Sequence, residues 1–345
     1  MTKIFLIRHA EAEGNIYRRA HGQFDGQIAG RGFRQIEQLK KRFTDEKIDA
    51  VYSSDLSRTR TTAAAINVPR GLPLREERDL REVNVGAWED VAWGDIKAGY
   101  PQMHGLFSSD PGKWRVDGSE AFERVQSRMT GCIRKLAGRH DGGAIAVFSH
   151  GFAIRSFLCG VMGVPSRGIN AVQYCDNTAV TLLTYDDGEL GIEYQGDNSH
   201  LDGGLSTFSR QTWWRDEEER RSEDMRFLAG TPTQTSAGGA SNALEYTAYL
   251  DNGQAGLLTL LFEGDGTGSA AWIRNIYIKP ELRRKGFGIQ LIGQAVADSR
   301  KRKRENLCIE IPGGGPAIDY FRNHGFVVEN ETDLKYTMIK NVRNW

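Results

Sequence analysis

Ile4-Phe5-Leu6-Ile7-Arg8-His9-Ala10-Glu11-Ala12-Glu13-Gly14-Asn15 decides how the N-terminal part of this chain is read. Four apolar residues in a row predict a buried strand, and an arginine and a histidine follow where that strand runs out. Open α/β sheets bind ligands beyond the carboxyl ends of their strands, so Arg8 and His9 stand where a site is expected. Working outward, Phe33, Ile36, Leu39 and Phe43 recur at helical spacing and lead to Val51-Tyr52, which gives the order β, α, β. The rhythm returns downstream. Phe122, Val125, Met129, Ile133 and Leu136 form a helical stripe that feeds a strand over 144–148, and Ser149-His150-Gly151 follows that strand. The implied architecture is a mostly parallel sheet covered by helices.

Bulk properties narrow the class. At 345 residues the chain exceeds one ordinary hydrophobic core, so two domains are expected. Hydrophobic content of 39% and charged content of 26% match a globular protein, and no stretch approaches the roughly 20 apolar residues of a membrane span. Met1-Thr2-Lys3 runs directly into the first strand without the pattern of a secretory signal, so a cytoplasmic location is expected. Forty-five basic residues balance 45 acidic ones, which argues against nucleic acid or an anionic membrane as partner. Cys132, Cys159, Cys175 and Cys308 lie far apart and read as buried thiols, and no histidine pair has metal-ligand spacing.

The chain divides near 229–241, where small and polar residues lose all periodicity. Just before, Arg215-Asp216-Glu217-Glu218-Glu219-Arg220-Arg221 can pair Asp216 with Arg220 and Glu217 with Arg221 on a solvated helix, or serve as a docking face. The expected organisation is a first domain over 1–203, a charged helix and flexible linker over 204–242 that can also be the abbreviated start of the second domain, and a second domain over 243–345.

Residues 1–203 resemble the histidine phosphatase, or phosphoglycerate mutase-like, superfamily. Arg8-His9-Ala10-Glu11-Ala12-Glu13-Gly14-Asn15 is similar to the family's Arg-His-Gly-Glu-Thr-x-x-Asn signature, with alanines for the glycine and threonine. Gly22-Gln23-Phe24-Asp25 and the segment Ile28-Ala29-Gly30-Arg31-Gly32-Phe33-Arg34-Gln35 match further motifs, Ala29 replacing a helix-capping threonine. Ser53-Ser54-Asp55-Leu56-Ser57-Arg58 carries the second arginine, Leu80-Arg81-Glu82-Val83-Asn84-Val85-Gly86-Ala87-Trp88-Glu89 carries the glutamate, and Phe148-Ser149-His150-Gly151 the second histidine. The resemblance implies a three-layer α/β/α sandwich, phosphate binding by Arg8, Asn15, Arg58 and His150, and proton donation by Glu82. The segment after Glu82 lacks the long arginine-rich insertion of the glycolytic mutases, which favours a phosphatase over a mutase.

The chemistry follows from the residue types as well. A neutral imidazole attacks phosphorus, and capture on His9 splits hydrolysis into two easier displacements. Arg8, Arg58 and His150 meet the charge on the equatorial oxygens without a metal. A departing alkoxide needs a proton, which Glu82 supplies if a nearby dianion raises its pKa, and the same carboxylate then deprotonates water. His21, His104, His140, His200 and His324 have no such support. Arg18, Arg19, Arg31, Trp88, Trp93, His104, Phe107 and Trp114 are expected either at the pocket rim or in ordinary surface loops.

Beyond the linker, residues 246–250 and 256–262 flank Asp251-Asn252-Gly253 and predict a hairpin, with a third strand over 271–278. Lys279-Pro280-Glu281-Leu282-Arg283-Arg284-Lys285-Gly286-Phe287-Gly288 then leads into a helix carrying Ile289, Ile292 and Val296. A strand, a basic glycine-bearing loop and a helix N-terminus together suit a diphosphate. Residues 243–341 resemble the Gcn5-related N-acetyltransferase (GNAT) family, an α+β fold with a mixed sheet. The resemblance implies acetyl-CoA held by Arg283, Arg284, Lys285, Gly286, Phe287 and Gly288, with Ile276, Tyr277 and Ile278 along the pantetheine. The tyrosine that serves the family as general acid falls on Phe321, beside Tyr320, and the family's first strand and two helices lack a clear counterpart.

The whole predicts a bifunctional enzyme, a phosphomonoesterase fused to an acetyl-CoA-dependent N-acetyltransferase. Its partners would be a small phosphorylated metabolite and an amine acceptor, with one metabolite serving both domains. The alternative is a phosphatase regulated by a non-catalytic acetyl-CoA-binding domain. The sequence leaves the oligomeric state open.

Overall fold

The computed structural model describes residues 1–230, 242–263, 270–313 and 315–343, so 231–241 of the expected linker lie outside the described residues. In chain order the elements begin β1 (Thr2–Arg8), α1 (Glu13–Tyr17), α2 (Gly30–Arg42), β2 (Ala50–Ser53), α3 (Ser57–Arg70) and β3 (Leu74–Glu76). There follow α4 (Trp93–Gly99), α5 (Pro101–Ser109), α6 (Phe122–Gly138), β4 (Ala144–Ser149), α7 (Gly151–Val161), β5 (Val180–Asp186) and β6 (Glu189–Asp197). The remainder is β7 (Met225–Gly230), β8 (Ala243–Leu250), β9 (Gly253–Phe262), β10 (Ala270–Ile278), α8 (Gly288–Lys301), β11 (Asn306–Pro312), α9 (Pro316–Asn323), β12 (Val327–Glu331) and β13 (Lys335–Asn341).

Two compact units emerge. The first contains residues 1–12, 20–89 and 100–221, and the second contains 13–19, 90–99 and 222–345. The first unit holds a six-stranded sheet in the order β3-β2-β4-β1-β5-β6. Its β3, β2, β4 and β1 run parallel, while β5 pairs antiparallel with β1 and β6 antiparallel with β5. Alternate residues of a strand face opposite sides. Phe5, Ile7, Val51, Ala146 and Phe148 pack in one core with Ile36 and Leu39 of α2, Phe43 just past its end and Ile66 of α3. The intervening Ile4, Leu6, Ile145 and Val147 are equally buried, as is the predicted α6 stripe from Phe122 to Leu136. This is the expected three-layer sandwich. Phe33 departs from its predicted stripe: it is 54% exposed, and Gln35 takes a buried place on α2 instead.

The second unit is built on a seven-stranded mixed sheet, β12-β13-β11-β10-β9-β8-β7, in which β10 and β11 form the parallel pair. The predicted hairpin is β8–β9, turning through Asp251 at φ 50°. Ahead of it β7 pairs along its whole length with β8. Helices packed on this unit come from much earlier in the chain: α1 lies on α8, and α4 lies on β7. Tyr17 is 2% exposed inside the unit's core, and a Cβ added to Gly293 would come within 2.5 Å of the Cβ of Tyr17. A buried polar network fixes the same contact. Arg300 of α8 bonds Glu13 at 2.9 Å, and Arg19 bonds Asp90 at 2.7 Å and Gln294 at 2.9 Å.

Of the stretch expected to connect the domains, residues 204–221 lie in the first unit and 222–230 in the second. The charged helix expected over 215–221 is a three-residue 3-10 turn, Glu217–Glu219. Arg220 instead bonds the Arg215 carbonyl, and Thr212 takes the Arg221 N–H. So short a run cannot offset the cost of nucleating an α-helix. No helix of the described residues is long and apolar enough to cross a membrane.

Candidate active site

Register brings the two histidines together. In the parallel β1–β4 pair, Ile7 stands opposite Phe148 and Arg8 opposite Ser149, so the residues leaving the sheet next are His9 and His150. Their ring centroids lie 5.3 Å apart with planes inclined by 56°, and they are 6% and 0% exposed. On the other side of β4, Ser53 of β2 pairs with Phe148, and the following Ser54 brings its Oγ 2.9 Å from His150 Nε2.

The tautomer of His9 is fixed by its neighbour. Its Nδ1 lies 2.7 Å from the Ala10 carbonyl oxygen, which can only accept, so Nδ1 carries the hydrogen and Nε2 keeps its lone pair. Burial, and then Arg58 and Arg8, hold its pKa well below the ordinary imidazole range, so the ring is neutral at neutral pH. His150 is held down in the same way, chiefly by burial and then by Arg58.

Two buried guanidinium groups flank the imidazoles. Arg8 donates from Nη1 to the Cys175 carbonyl at 2.6 Å and lies against Gly151, where an added Cβ would come within 3.2 Å of its Nε. Arg58, the second residue of α3 and 1% exposed, donates to the carbonyls of Phe24 at 2.8 Å and Gly22 at 2.7 Å. Thr62, one turn further, accepts the Ala10 N–H at 2.9 Å and so ties α3 to the residue after His9. Arg8 Nε and His150 Nδ1 are buried without a hydrogen-bond partner. An unspent buried polar atom costs about 1–3 kcal/mol, and a phosphate oxygen is the acceptor that would satisfy a donor there.

Glu82, 9% exposed, accepts N–H bonds from Val83 at 3.0 Å, Phe152 at 3.0 Å and Ala153 at 2.8 Å. The last two belong to the first turn of α7, which starts directly after His150, so the carboxyl group and the second histidine share one support. Burial pushes the Glu82 pKa up, against the pull of these N–H bonds and Arg58. Arg128 of α6 donates to the carbonyls of Arg81 at 2.6 Å and Glu82 at 3.0 Å, and Arg81 forms a bidentate pair with Asp55 at 2.6 Å. Ser54 and Arg128 were missed by sequence reasoning. Ser54 lies inside a quoted motif, whereas Arg128 carries no local signal.

Asn15 sits on α1, within the second unit, and Arg18, Arg19 and Trp93 belong there too. Arg18 pairs with Asp224 at 2.7 Å and Arg19 with Asp90 at 2.7 Å, both inside the second unit. Trp88 and Trp114 are fully buried, 5.4 Å apart, and pack with Phe107, whose ring stacks on Phe152 at 4.8 Å. They form a core wall behind the start of α7. Arg31 is held at 3.2 Å by the buried Glu11. Among the described residues, no cluster of three His, Cys, Asp or Glu side chains could hold a metal ion.

In the second unit, β10 and β11 pair only over Ala270–Ile273 and Asn306–Ile309, and β10 shifts register against β9 between Ile273 and Asn275. Beyond that point Ile276, Tyr277 and Ile278 have no β11 partner, leaving a parting between two strands with backbone groups along it. The loop that follows has Arg284 at φ 60° and Gly286 at φ 86°, and Gly288 opens the 14-residue α8. The first N–H groups of such a helix lack intrahelical partners, so Gly288 and the loop before it suit an anion. Arg284 and Lys285 are exposed, while Arg283 is turned back on the Ile278 carbonyl at 3.0 Å. Phe321 is 4% exposed and packs 5.1 Å from Phe326, whereas the buried Tyr320 hydroxyl lies near Gly288 and has no partner.

A model of the histidine phosphatase superfamily (branch 1) matches residues 4–198, and a model of the acetyltransferase (GNAT) domain matches 242–328. Phosphoglycerate mutase-like protein 4 of Arabidopsis thaliana is 32% identical over 207 residues, covering 58% of this chain and 87% of its own length. Phosphoserine phosphatase 1 of Hydrogenobacter thermophilus is 29% identical over 183 residues, covering 53% of this chain and 86% of its own. The solved structure of Bacillus stearothermophilus YhfR superposes with a TM-score of 0.57 at 26% identity, covering 59% of this chain and all of its own. Signature, sheet order and match extent agree: this chain belongs to the histidine phosphatase superfamily and carries a GNAT domain behind it.

Proposed function

We propose that the first unit is a phosphomonoesterase working through a phosphohistidine on His9. The observation that carries this reading is the Nδ1 hydrogen bond to Ala10, which leaves a neutral, buried Nε2 lone pair between two arginines. In the first step Nε2 attacks phosphorus, the P–O bond to the organic group breaks, and the leaving oxygen takes the Glu82 proton. Arg8, Arg58 and His150 hold the equatorial oxygens. In the second step water attacks the phosphoryl group, Glu82 takes its proton, and the P–N bond breaks to release phosphate and neutral His9. No metal enters either step.

The C-terminal domain takes acetyl-CoA along Ile276, Tyr277 and Ile278 and at residues 283–288, where the thioester supplies the acetyl group for an amine acceptor. One small metabolite bearing both an amine and a phosphate serves both domains, in the cytoplasm. The likeness to a phosphoserine phosphatase makes O-phosphoserine the first compound to test. A second reading, in which acetyl-CoA binding only regulates the phosphatase, is supported by Phe321, whose ring is locked in the core where the family's acidic tyrosine would stand. A screen of small phosphomonoesters with and without acetyl-CoA separates the two. Loss of phosphate and gain of acetyl on one compound supports the first, and a changed phosphatase rate without acetylated product supports the second. Failure of every phosphomonoester, with His9→Ala as control, would defeat both.

A further inference from the structure

We propose that Glu89 is a positioning residue of the phosphoryl site: its carboxylate gathers the backbone of residues 22–24, and the carbonyls of that same segment fix the guanidinium of Arg58. The inference rests on the hydrolytic reading above.

Three consecutive backbone N–H groups converge on Glu89. Gly22 donates to Oε2 at 3.2 Å, Gln23 to Oε1 at 2.8 Å and Phe24 to Oε2 at 2.8 Å, and Val85 adds a fourth bond to Oε1 at 3.1 Å. An ionised carboxylate offers about four lone-pair sites, so these donors fill it and leave Glu89 no role as acid, base or phosphate contact. Successive N–H groups converging on one anion make the kind of anion-binding concavity that backbone nests provide.

The other side of this segment faces the arginine. Gly22 and Phe24, which give their N–H groups to Glu89, give their carbonyls to Nη2 and Nη1 of Arg58. With Arg58 only 1% exposed, bulk water cannot substitute for these acceptors, and each terminal nitrogen keeps a second hydrogen for an anion. The segment also reaches the proton donor, since Gln23 Nε2 bonds the Glu82 carbonyl at 3.3 Å. The fit admits no side chain at position 22, where a Cβ would come within 2.4 Å of the Val83 oxygen and 2.5 Å of Glu89 Oε1. Remove the charge at 89 and the nest opens, and Arg58 loses the frame that aims it.

The test uses the full chain with inorganic phosphate, whose Kd is read by calorimetry, and p-nitrophenyl phosphate, for kcat and KM. Glu89→Gln keeps the size but turns an NH2 group toward backbone donors. It should raise the phosphate Kd and the KM about tenfold or more, while the shape of the pH profile, set by Glu82, persists. Glu89→Asp should recover part of the loss, and it carries the comparison if the glutamine variant does not fold. In an Arg58→Ala background, Glu89→Gln should add less than about twofold, because its effect passes through Arg58. An unchanged phosphate Kd in the folded variants, or a full additional loss in the Arg58→Ala background, would overturn the proposal. Should the wild-type chain bind phosphate yet leave p-nitrophenyl phosphate intact, the hydrolytic reading fails while the phosphate Kd still decides the role of Glu89.

Discussion

The two compact units gather distant residues by different physics. In the first, a parallel register does the work: β1, β4 and β2 end together, so Arg8-His9, Ser149-His150 and Ser54 arrive at one edge because their strands are neighbours. In the second, the sheet is continuous in sequence from β7 onward, but Tyr17, Ala92 and the Arg19–Asp90 pair enter its core from chain sections far upstream. One unit has a composite site on a simple core. The other has a composite core.

The difference is broken most violently by cutting the chain. A fragment beginning at Ser222 keeps all seven strands but loses Tyr17, Ala92 and the partner of Arg300, which bonds Glu13 with both side chains under a tenth exposed. Deleting one large buried side chain costs about 3–5 kcal/mol, and a charge left buried alone costs as much again, against a domain stability of about 5–15 kcal/mol. The fragment should lack a cooperative thermal transition by circular dichroism. A fragment melting like the full chain would mean that the upstream segments only decorate that unit.

A smaller effect sharpens the account of the first unit. Glu82→Gln keeps the two N–H contacts of Oε1, from Val83 and Ala153, but sets an NH2 group against the Phe152 N–H and removes the acidic proton, and should lower kcat on p-nitrophenyl phosphate by about 10²–10⁴-fold. Because burial raises the Glu82 pKa, the protonated donor is lost as pH rises, so the wild-type rate should fall on an alkaline limb that the variant lacks. A variant that retains the limb would assign it to another group.

The least effect concerns stability. Burial pushes Glu11 up to about 7 even with Arg31 at 3.2 Å, and its Oε2 has no partner. A carboxyl whose folded pKa is raised binds its proton more tightly in the folded state. Its contribution is therefore fully present below the unfolded value near 4.3 and is lost as pH rises through 7. Glu11→Gln should flatten the fall in stability between those values and leave the chain about 2 kcal/mol more stable at pH 8, read by urea denaturation at several pH values. An unchanged pH slope would place the burial penalty elsewhere.

These contrasts explain what could be read from the sequence. The Arg8-His9 and Ser149-His150 pairs were legible because each follows its own apolar strand, and a strand end needs only local information. The α8 loop was legible for the same reason, as glycines, basic residues and a helix start lie in one run. Arg128 was not legible, because its task is to reach the Arg81 and Glu82 carbonyls across the fold and nothing beside it in sequence records that. Trp88 and Trp114 looked like ligand-gripping aromatics because indoles serve both surfaces and cores, and only packing separates the two. The upstream part of the second core was hidden most deeply. Glu13-Gly14-Asn15 reads as the tail of a phosphate signature, yet its helix answers to α8.

The direct test of the central claim is to trap the phosphoryl group. The full chain, mixed rapidly with p-nitrophenyl phosphate and quenched in alkali, should carry one acid-labile phosphoryl group on the peptide containing His9, and His9→Ala should carry none and release no nitrophenol. A stable phosphoryl group on Ser54 or another residue, or full hydrolysis by His9→Ala, would contradict it.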